Sequence, residues 1–497
     1  MLSSILILLA VTMLLGSSLP IHAISKKMED PLFWVRAIKN PERLLLTSSE
    51  IQKMNEENLK KRDLLLCRVE DIKEEWTREE ILSFLTEDWE GFGKTKEIRY
   101  GKDGNPLGDS FWNEIKENMN QVRLKERNQL QFALTIQRTD IRVFPTDEAS
   151  RKNRTSLEFD LFQHSAIAPG SPVGIYHFSR DNLWVYVQTS FIRGWIRAKD
   201  LAIAMDKNDA MGQPVQKEPL VIIGNFVRVF DDPLFRQSIF SVQMGTTFPI
   251  IDLPRKAKPS NPIENNKKIS SPLAGEGQGE GAPSRGRIVD SNLSSKGGHG
   301  ALGNYYVIKI PFRESDGRLS FRHGFIPADD NVHYGFLPYS QKNLAQQAFT
   351  MLHQPYGWGE ESGGRDCSRF IMDLFNTFGI LMPRNSNHQA RMGVSLEPLE
   401  GKTAEEKKTI LDRAIPMATL LRMPGHIMLY LGKYNGEHYA IHSIWGIQKG
   451  GRSGPAYQKI GKVVVTDLSL GKGGPRGSLL QRLIEIRLIG PGSDVKK

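Results

Sequence analysis

The sequence Tyr-Gly-Trp-Gly-Glu-Glu-Ser-Gly-Gly-Arg-Asp-Cys-Ser-Arg-Phe, residues 356–370, decides how the rest of the chain is interpreted. A glycine-rich approach leads to Cys367, and apolar residues at helical spacing follow it at positions 370, 371, 374, 375 and 378. Asp366 is predicted to cap this helix and Gly379 to stop it. Cys367 would then lie in the first turn, where the helix dipole and the exposed N–H groups favour a thiolate and a developing oxyanion.

Two histidines follow in a pattern typical of strands. His426 opens the alternating run His-Ile-Met-Leu-Tyr-Leu-Gly, and His442 lies in Ala-Ile-His-Ser. Asn435-Gly436 between them predicts a hairpin, and the length of its loop decides whether the two rings share a face. A two-residue loop would place the rings on opposite faces of the sheet. We predict a three-residue loop that begins at Tyr434, which places both rings on one face.

A cysteine followed by two histidines in this order is the set that a thiol peptidase needs. We predict that Cys367 is the nucleophile, with a pKa below the ordinary value of about 8.5. His426 is the predicted base and then acid, and His442 orients its ring. His438 has the parity of His442 and is the second choice for that role. Each residue alone is more often a core cysteine or a structural histidine, but their order and placement together favour catalysis.

The C-terminal third, residues 340–497, resembles the NlpC-type cell-wall cysteine peptidases, which have a compact papain-like α+β fold. The resemblance implies the same three catalytic roles and cleavage between D-Glu and a diamino acid in murein peptides, L-Ala-γ-D-Glu-diamino acid, that carry a free N-terminal L-Ala. The implied recognition residues are Tyr356, Asp366, Ser368 and Ser386, and the carboxylate of Asp366 suits an α-ammonium group. The matching segments are Pro355-Tyr356-Gly357-Trp358-Gly359, Arg365-Asp366-Cys367-Ser368, Pro383-Arg384-Asn385-Ser386, Gly425-His426-Ile427 and Ile441-His442-Ser443.

Two positions depart from the pattern of that family. Arg369 stands where the family usually has Gly after Cys-Ser, and Glu360 stands where it often has Gly after Trp-Gly. Arg369 is expected to point to solvent or to crowd the cleft. It is the main support for one alternative, a catalytically idle wall-binding protein. Another alternative is an amidase or acyltransferase on the same fold, and the intact catalytic set and recognition residues favour the peptidase over both.

The remainder of the chain predicts a multidomain protein. Residues 1–23 are predicted to be a signal peptide, because their apolar run is too short to span a bilayer and is followed by small residues. Residues 26–135 are predicted to form a helical stabilising region. Its helix starts are indicated by capping boxes at residues 47–50 and 77–80.

An internal repeat occupies the middle of the chain. Residues 141–144 are echoed at 227–230, and residues 193–196 are echoed at 323–326. Each repeat contains several short segments of strand-forming residues, which predicts a small all-β barrel. The repeats resemble bacterial SH3-like modules.

We place these two modules at residues 136–205 and 216–335. The second is interrupted at 255–303 by an insertion rich in Gly, Ser and Pro, which is predicted to be disordered. In related peptidases the first module narrows the cleft, and this resemblance implies three further candidates for recognition of the substrate: Asp160, Trp184 and Tyr186.

The 497 residues carry a formal net charge of +10, which suits a polyanion, but no nucleic-acid motif accompanies it. The only cysteine besides Cys367 is Cys67, whose apolar helical surroundings predict a buried thiol. No cofactor and no metal are predicted. We expect an exported protein, in the periplasm or cell envelope, that binds peptidoglycan peptides and has no membrane span once its signal peptide is removed.

Overall fold

The computed structural model describes residues 25–155, 158–211, 218–251, 301–302, 305–449 and 456–491. The predicted signal peptide, and all of the predicted insertion except residues 301–302, lie outside these ranges. Within them, no helix is both long enough and apolar enough to cross a bilayer. The predicted multidomain architecture of helices, β-modules and a C-terminal α+β domain is confirmed.

The N-terminal region is helical, as predicted. Both capping boxes are confirmed: Thr47 with Glu50 and Thr77 with Glu80 exchange the expected side-chain and backbone hydrogen bonds. The elements are α1 (Pro31–Val35), α2 (Ser48–Leu59), a two-stranded ladder of β1 (Glu75–Thr77) with β2 (Arg127–Gln129), α3 (Arg78–Phe92) and α4 (Asp109–Asn118), with 3-10 turns at Lys26–Glu29, Arg62–Leu64, Val69–Asp71 and Gln121–Arg123.

This helical region shares its core with the domains that follow it. Trp34 of α1 packs on Tyr439 of the C-terminal domain, with ring centroids 5.2 Å apart. Trp112 of α4 packs edge-on against Phe162, with ring centroids 5.9 Å apart. Because each buried large apolar side chain contributes roughly 1.5–3 kcal/mol, the region is anchored at both places.

The first β-module forms one antiparallel sheet in the order β5-β4-β8-β7-β6-β3-β9. It begins before the predicted start at residue 136, and the short helix α5 (Lys207–Met211) follows it. Its strands are β3 (Gln131–Thr135), β4 (Thr139–Arg142), β5 (Gln163–Ile167), β6 (Pro172–Phe178), β7 (Trp184–Gln188), β8 (Arg193–Arg197) and β9 (Leu201–Ile203).

The second β-module has two antiparallel sheets, in the orders β13-β10-β17 and β12-β11-β16-β15-β14, around a separate apolar core. Its strands are β10 (Leu220–Ile222), β11 (Phe226–Phe230), β12 (Ser238–Gln243), β13 (Thr247–Phe248), β14 (Ala301–Leu302), β15 (Tyr305–Arg313), β16 (Leu319–Pro327) and β17 (Val332–Tyr334).

The repeat seen in the sequence has a structural counterpart. Each module contains one copy of both repeated segments, and the two strands that carry them pair with each other. These strands are β4 and β8 in the first module and β11 and β16 in the second. A Cβ atom added to Gly194 would lie 2.6 Å from Ile141, and one added to Gly324 would lie 2.9 Å from Val229. Glycine therefore allows the same close approach of strands in each module.

The C-terminal domain is a six-stranded antiparallel sheet in the order β18-β23-β19-β20-β21-β22. Helix α7 packs its apolar face on β20 and β21. The strands are β18 (Val394–Ser395), β19 (Thr419–Met423), β20 (His426–Tyr434), β21 (Glu437–Lys449), β22 (Ala456–Asp467) and β23 (Glu485–Leu488). The helices are α6 (Gln341–Thr350), α7 (Cys367–Asn376), α8 (Ser386–Gln389), α9 (Ala404–Leu411) and α10 (Leu479–Arg482).

Candidate active site

Helix α7 begins at Cys367, as predicted. The carboxylate of Asp366 caps it by accepting a hydrogen bond of 2.8 Å from the backbone N–H of Arg369. The backbone N–H groups of Ser368 and Ile427 face the sulfur of Cys367. Since Ile427 directly follows His426, the nucleophile candidate lies beside the start of β20.

The two predicted histidines are in direct contact. Nε2 of His426 lies 2.7 Å from Nδ1 of His442, and Nε2 of His442 lies 3.0 Å from the hydroxyl of Thr466. The three residues occupy the adjacent strands β20, β21 and β22. This chain of hydrogen bonds holds the His426 ring in one orientation.

The turn that brings the histidines together differs from the predicted one. Tyr434 pairs with Glu437, so the hairpin loop has two residues, and the predicted three-residue loop is wrong. The register is restored by a β-bulge at Leu431, where Gly432 has a φ of +121°. The bulge adds one residue to β20, so His442 still reaches the face predicted for it.

His438, the second choice for the orienting role, has other partners. Its Nδ1 lies 2.8 Å from the hydroxyl of Tyr430, and its Nε2 lies 3.5 Å from the carboxylate of Asp412. The structure therefore places His442, and not His438, on the ring of His426.

The environment of this set disfavours charge. Burial raises the pKa of the Cys367 thiol to about 12, and the Asp366 carboxylate adds to the rise. Burial also lowers the pKa of His426 to about 3 and that of His442 well below its ordinary value. The predicted depressed thiol pKa is wrong, because desolvation outweighs the helix terminus. Burial therefore favours the neutral forms of the thiol and of both imidazoles.

The carboxylate of Asp366 already has a cationic partner. Arg384 donates to it twice, at 2.7 and 3.1 Å, and Ser368 and the backbone N–H of Gly359 donate at 3.0 and 3.2 Å. Burial raises the pKa of Asp366, but Arg384 and these hydrogen bonds outweigh it and leave the pKa below its ordinary value. This carboxylate is therefore paired before any substrate binds, and its predicted contact with a substrate ammonium group stays a prediction.

The two departures from the family pattern contact each other. Arg369 neither points to solvent nor crowds the cleft, and both expectations for it are wrong. It is buried and donates to Glu360 at 2.9 Å and to Asp373 at 2.5 Å. Glu360 has a φ of +67°, in the left-handed region that favours glycine.

The other two predicted recognition residues, Tyr356 and Ser386, lie before helix α7 and at the start of α8. Tyr356 is half-buried, and its ring lies 5.9 Å from that of Trp445. Burial raises its pKa, and the nearby Cys367 and Asp366 act in the same direction. Ser386 is half-buried at the start of α8. Their contacts with substrate stay predictions.

The three candidates in the first β-module lie in its interior. Asp160 accepts a hydrogen bond of 2.7 Å from Arg142, Trp184 is covered by the guanidinium of Arg197, and Tyr186 donates its hydroxyl to Asp88 at 2.6 Å. Their predicted role in recognition stays a prediction, and these positions give it no support.

Phe159, the residue before Asp160, packs on the C-terminal domain. The ring of Phe159 packs against Trp358 at 5.3 Å and against Trp445 at 5.5 Å. Sequence reasoning missed Phe159, and it also gave no role to Arg384 or Thr466. Only Arg384 had a signal, since it stands in a segment that matches the family.

Two segments of the chain match models of known protein families. Residues 353–458 match the model of the NlpC/P60 family, and residues 148–197 match that of the SH3 domain of SH3b1 type. The chain therefore contains a C-terminal cysteine peptidase domain of NlpC/P60 type, preceded by an SH3b1-type domain. The matched C-terminal segment includes all three predicted catalytic residues.

Among solved structures, this chain resembles an NlpC/P60 endopeptidase from Photobacterium damselae subsp. piscicida, with a TM-score of 0.68 and 19% identity. The superposition covers 92% of this chain and 96% of the endopeptidase. This likeness shows that the two share a fold through the helical region, both β-modules and the peptidase domain. An NlpC/P60 family protein from Bacillus cereus matches over 66% of this chain and 83% of its own, with a TM-score of 0.41 and 14% identity. No curated protein matches the sequence.

Proposed function

We propose that the protein is an exported cysteine peptidase that hydrolyses the bond between γ-D-Glu and a diamino acid in murein peptides. The contact of 2.7 Å between His426 and His442, beside the helix terminus that bears Cys367, carries the proposal. The bond specificity is the one that the sequence resemblance implies, and the NlpC/P60 match supports it at the level of the family. Export rests on the predicted signal peptide.

Burial favours a neutral thiol and a neutral imidazole, so the reaction begins with proton transfer. Nε2 of His426 bonds to His442, which leaves Nδ1 to accept the thiol proton as the sulfur attacks the γ-carbonyl carbon. Backbone N–H groups in the first turn of α7 stabilise the tetrahedral oxyanion. The imidazolium then returns the proton to the amine of the departing diamino acid, and water hydrolyses the thioester with His426 again as base.

This role assigns the tautomer of each ring. His426 must keep its proton on Nε2 and donate it to Nδ1 of His442, so that its Nδ1 is free to act as a base. His442 then donates from Nε2 to the hydroxyl of Thr466, which lies 3.0 Å away. Thr466 is therefore the final acceptor in the chain that orients the base.

A free N-terminal L-Ala is not included in the proposal. The resemblance implied it, with the Asp366 carboxylate as the partner of the α-ammonium group, but Arg384 already supplies a cation to that carboxylate at 2.7 Å. The paired groups carry no net charge that would attract an α-ammonium group. Substrates with a free and with a substituted L-Ala are therefore both compatible with this end of the cleft.

The idle wall-binding alternative loses its main support. It rested on Arg369 as an obstacle in the cleft, and this side chain is turned away into ion pairs with Glu360 and Asp373. The amidase and acyltransferase alternatives have no residue in the described cleft that favours them.

The test is incubation of the protein, without its predicted signal peptide, with L-Ala-γ-D-Glu-diaminopimelate, followed by mass analysis. Cys367→Ala is the control for contaminating activity. We expect L-Ala-D-Glu and free diaminopimelate from the unmodified protein alone. A parallel incubation uses the same peptide linked to N-acetylmuramic acid. Release of the whole peptide from the sugar, with the γ-bond intact, would instead show an amidase, and the absence of any product from either substrate would show an idle domain.

A further inference from the structure

Six buried charged side chains lie directly behind the nucleophile candidate. Each is at most 7% exposed, and they comprise equal numbers of cations and acids: Arg365, Arg369, Arg384, Glu360, Asp366 and Asp373. Moving an ion out of water costs several kcal/mol unless it is paired and hydrogen-bonded. Their neutral sum and mutual contacts meet that condition.

Asp373, on the second turn of helix α7, is the centre of the group. It accepts from Arg365 at 2.7 Å and from Arg369 at 2.5 Å. Arg369 reaches on to Glu360 at 2.9 Å. These ion pairs therefore connect the loop that precedes Cys367 with the helix that follows it.

The first β-module enters the group through strand β5. The hydroxyl of Ser165 donates to Glu360 at 2.6 Å and accepts from Nε of Arg384 at 2.6 Å. The backbone N–H of Ala166 donates to Glu360 at 2.9 Å, and its carbonyl accepts from Arg369 at 3.2 Å. This module thus contacts both the loop and the arginine that holds the helix cap.

The second β-module enters from the other side. The amide of Gln243 donates to Asp373 at 3.1 Å and to Glu360 at 3.2 Å. The side-chain oxygen of Asn225 accepts from Arg365 at 2.5 Å. Two modules that are separate in sequence therefore bind one set of charges.

We infer that Glu360 is a positioning residue, through which both β-modules hold the nucleophile in its reactive place. Its backbone is in the left-handed conformation, which is unfavourable for a residue other than glycine. The contacts of its carboxylate hold it there. The adjacent Gly359 donates its N–H to Asp366, the cap of the helix that begins at Cys367.

Loss of the carboxylate would release this loop and the cap together. A misplacement of about 1 Å at a reacting group costs about 100-fold in rate. The same release would admit water to the sulfur and so lower the thiol pKa that burial raises. Turnover and simple thiol reactivity should then change in opposite directions.

The experiment compares Glu360→Gln with Asp200→Asn, both in a Cys67→Ala background so that one thiol remains. Asp200 is a matched control, because it is a buried carboxylate of the first module whose partners, Gln137 and Thr139, belong to that module too. Both variants replace a carboxylate by an amide. We measure kcat and KM on the murein peptide, and the rate of alkylation of Cys367 by iodoacetamide.

For Glu360→Gln we expect kcat to fall about 10- to 100-fold, KM to change less than about threefold and alkylation to accelerate. For Asp200→Asn we expect lower stability with kcat and alkylation unchanged. The double variant Glu360→Gln/Arg369→Gln restores the charge balance and should regain part of the lost kcat. Equal behaviour of the two single variants would overturn the inference.

The turnover arm rests on the proposed function, and the alkylation arm does not. If the unmodified protein cleaves no peptide but alkylation still separates the two variants, the proposed function fails and the positioning role stands. Ser165→Ala serves if Glu360→Gln does not fold, since it removes only the hydrogen bonds of the hydroxyl to Glu360 and Arg384 and leaves every charge paired. It should also lower kcat and accelerate alkylation, both by less than Glu360→Gln does. Unchanged alkylation would count against the positioning role.

Discussion

The two sides of the candidate site differ in their polar groups. On the helix side, six buried charges surround the segment that bears Cys367, whereas on the strand side His426, His442 and Thr466 form an uncharged chain. Multiple ion pairs hold a backbone in place, but they also surround the nucleophile with fixed charge. A neutral imidazole chain can move a proton. The comparison indicates that the helix side provides geometry and the strand side provides acid–base chemistry.

The largest expected effect is loss of the nucleophile itself. Cys367→Ala should abolish turnover with folding intact, because it removes the sulfur that attacks the substrate. Cys67→Ala should leave turnover nearly unchanged, since that thiol donates to the carbonyl of Thr189 at 3.2 Å. Product formation and circular dichroism of both variants measure this. Similar activity in the two variants would contradict the assignment.

The strand side should show a hierarchy. His426→Ala removes the base, and a loss of roughly 100- to 10,000-fold in kcat is typical of acid–base groups. His442→Ala removes only the partner that orients the ring, so a measurable part of the activity should remain. Steady-state kinetics of the two variants decide between these roles, and the reverse order would exchange them.

The neutral strand side should make stability depend on pH. The pKa of His426 in the folded protein, about 3, lies below its ordinary value of 6.5, so the unfolded state takes up the proton first. Stability is therefore complete above pH 6.5 and falls as pH drops toward 3. At pH 4 this residue alone should cost roughly 3 kcal/mol.

Other buried groups modify this pH dependence. Burial also lowers the pKa of His164 and of His438 to about 4, which adds to the loss, while burial raises that of Asp88 to about 6, which offsets part of it. Urea unfolding at pH 7, 5.5 and 4 measures the net effect. An unfolding free energy that is constant over this range would show that these imidazoles are not buried as neutral groups.

The smallest expected effect concerns the paired helix side. Arg384 already neutralises Asp366. N-acetylation of the substrate L-Ala should therefore lower kcat/KM less than about tenfold. Unpairing a charged contact typically costs more, ~2 kcal/mol of transition-state binding. The measurement compares free and N-acetylated peptides with the same scissile bond. A loss of 100-fold or more would restore the requirement for a free amine.

Much of the site could be predicted because its signals are local. The cap at Asp366 and the start of β20 at His426 follow from short-range patterns and are confirmed. The hairpin loop was predicted with the wrong length, because a bulge at Leu431 changes register without a sequence signal as clear as Asn-Gly. The shorter loop and the bulge compensate for each other, so His442 lies on the face of the sheet that we predicted from one longer loop.

The sequence by itself determined which residues carry the chemistry: an ordered cysteine and two histidines, each at the start of or within a periodic element, and a repeated β-module ahead of them. Only the tertiary structure decided their electrostatic state. Glu360, Arg369 and Arg384 pair with residues that are distant in sequence, some of them in the two β-modules. Such contacts produce no periodic pattern in the sequence. Burial decides whether a thiol or an imidazole is charged, and burial is a property of the packed molecule.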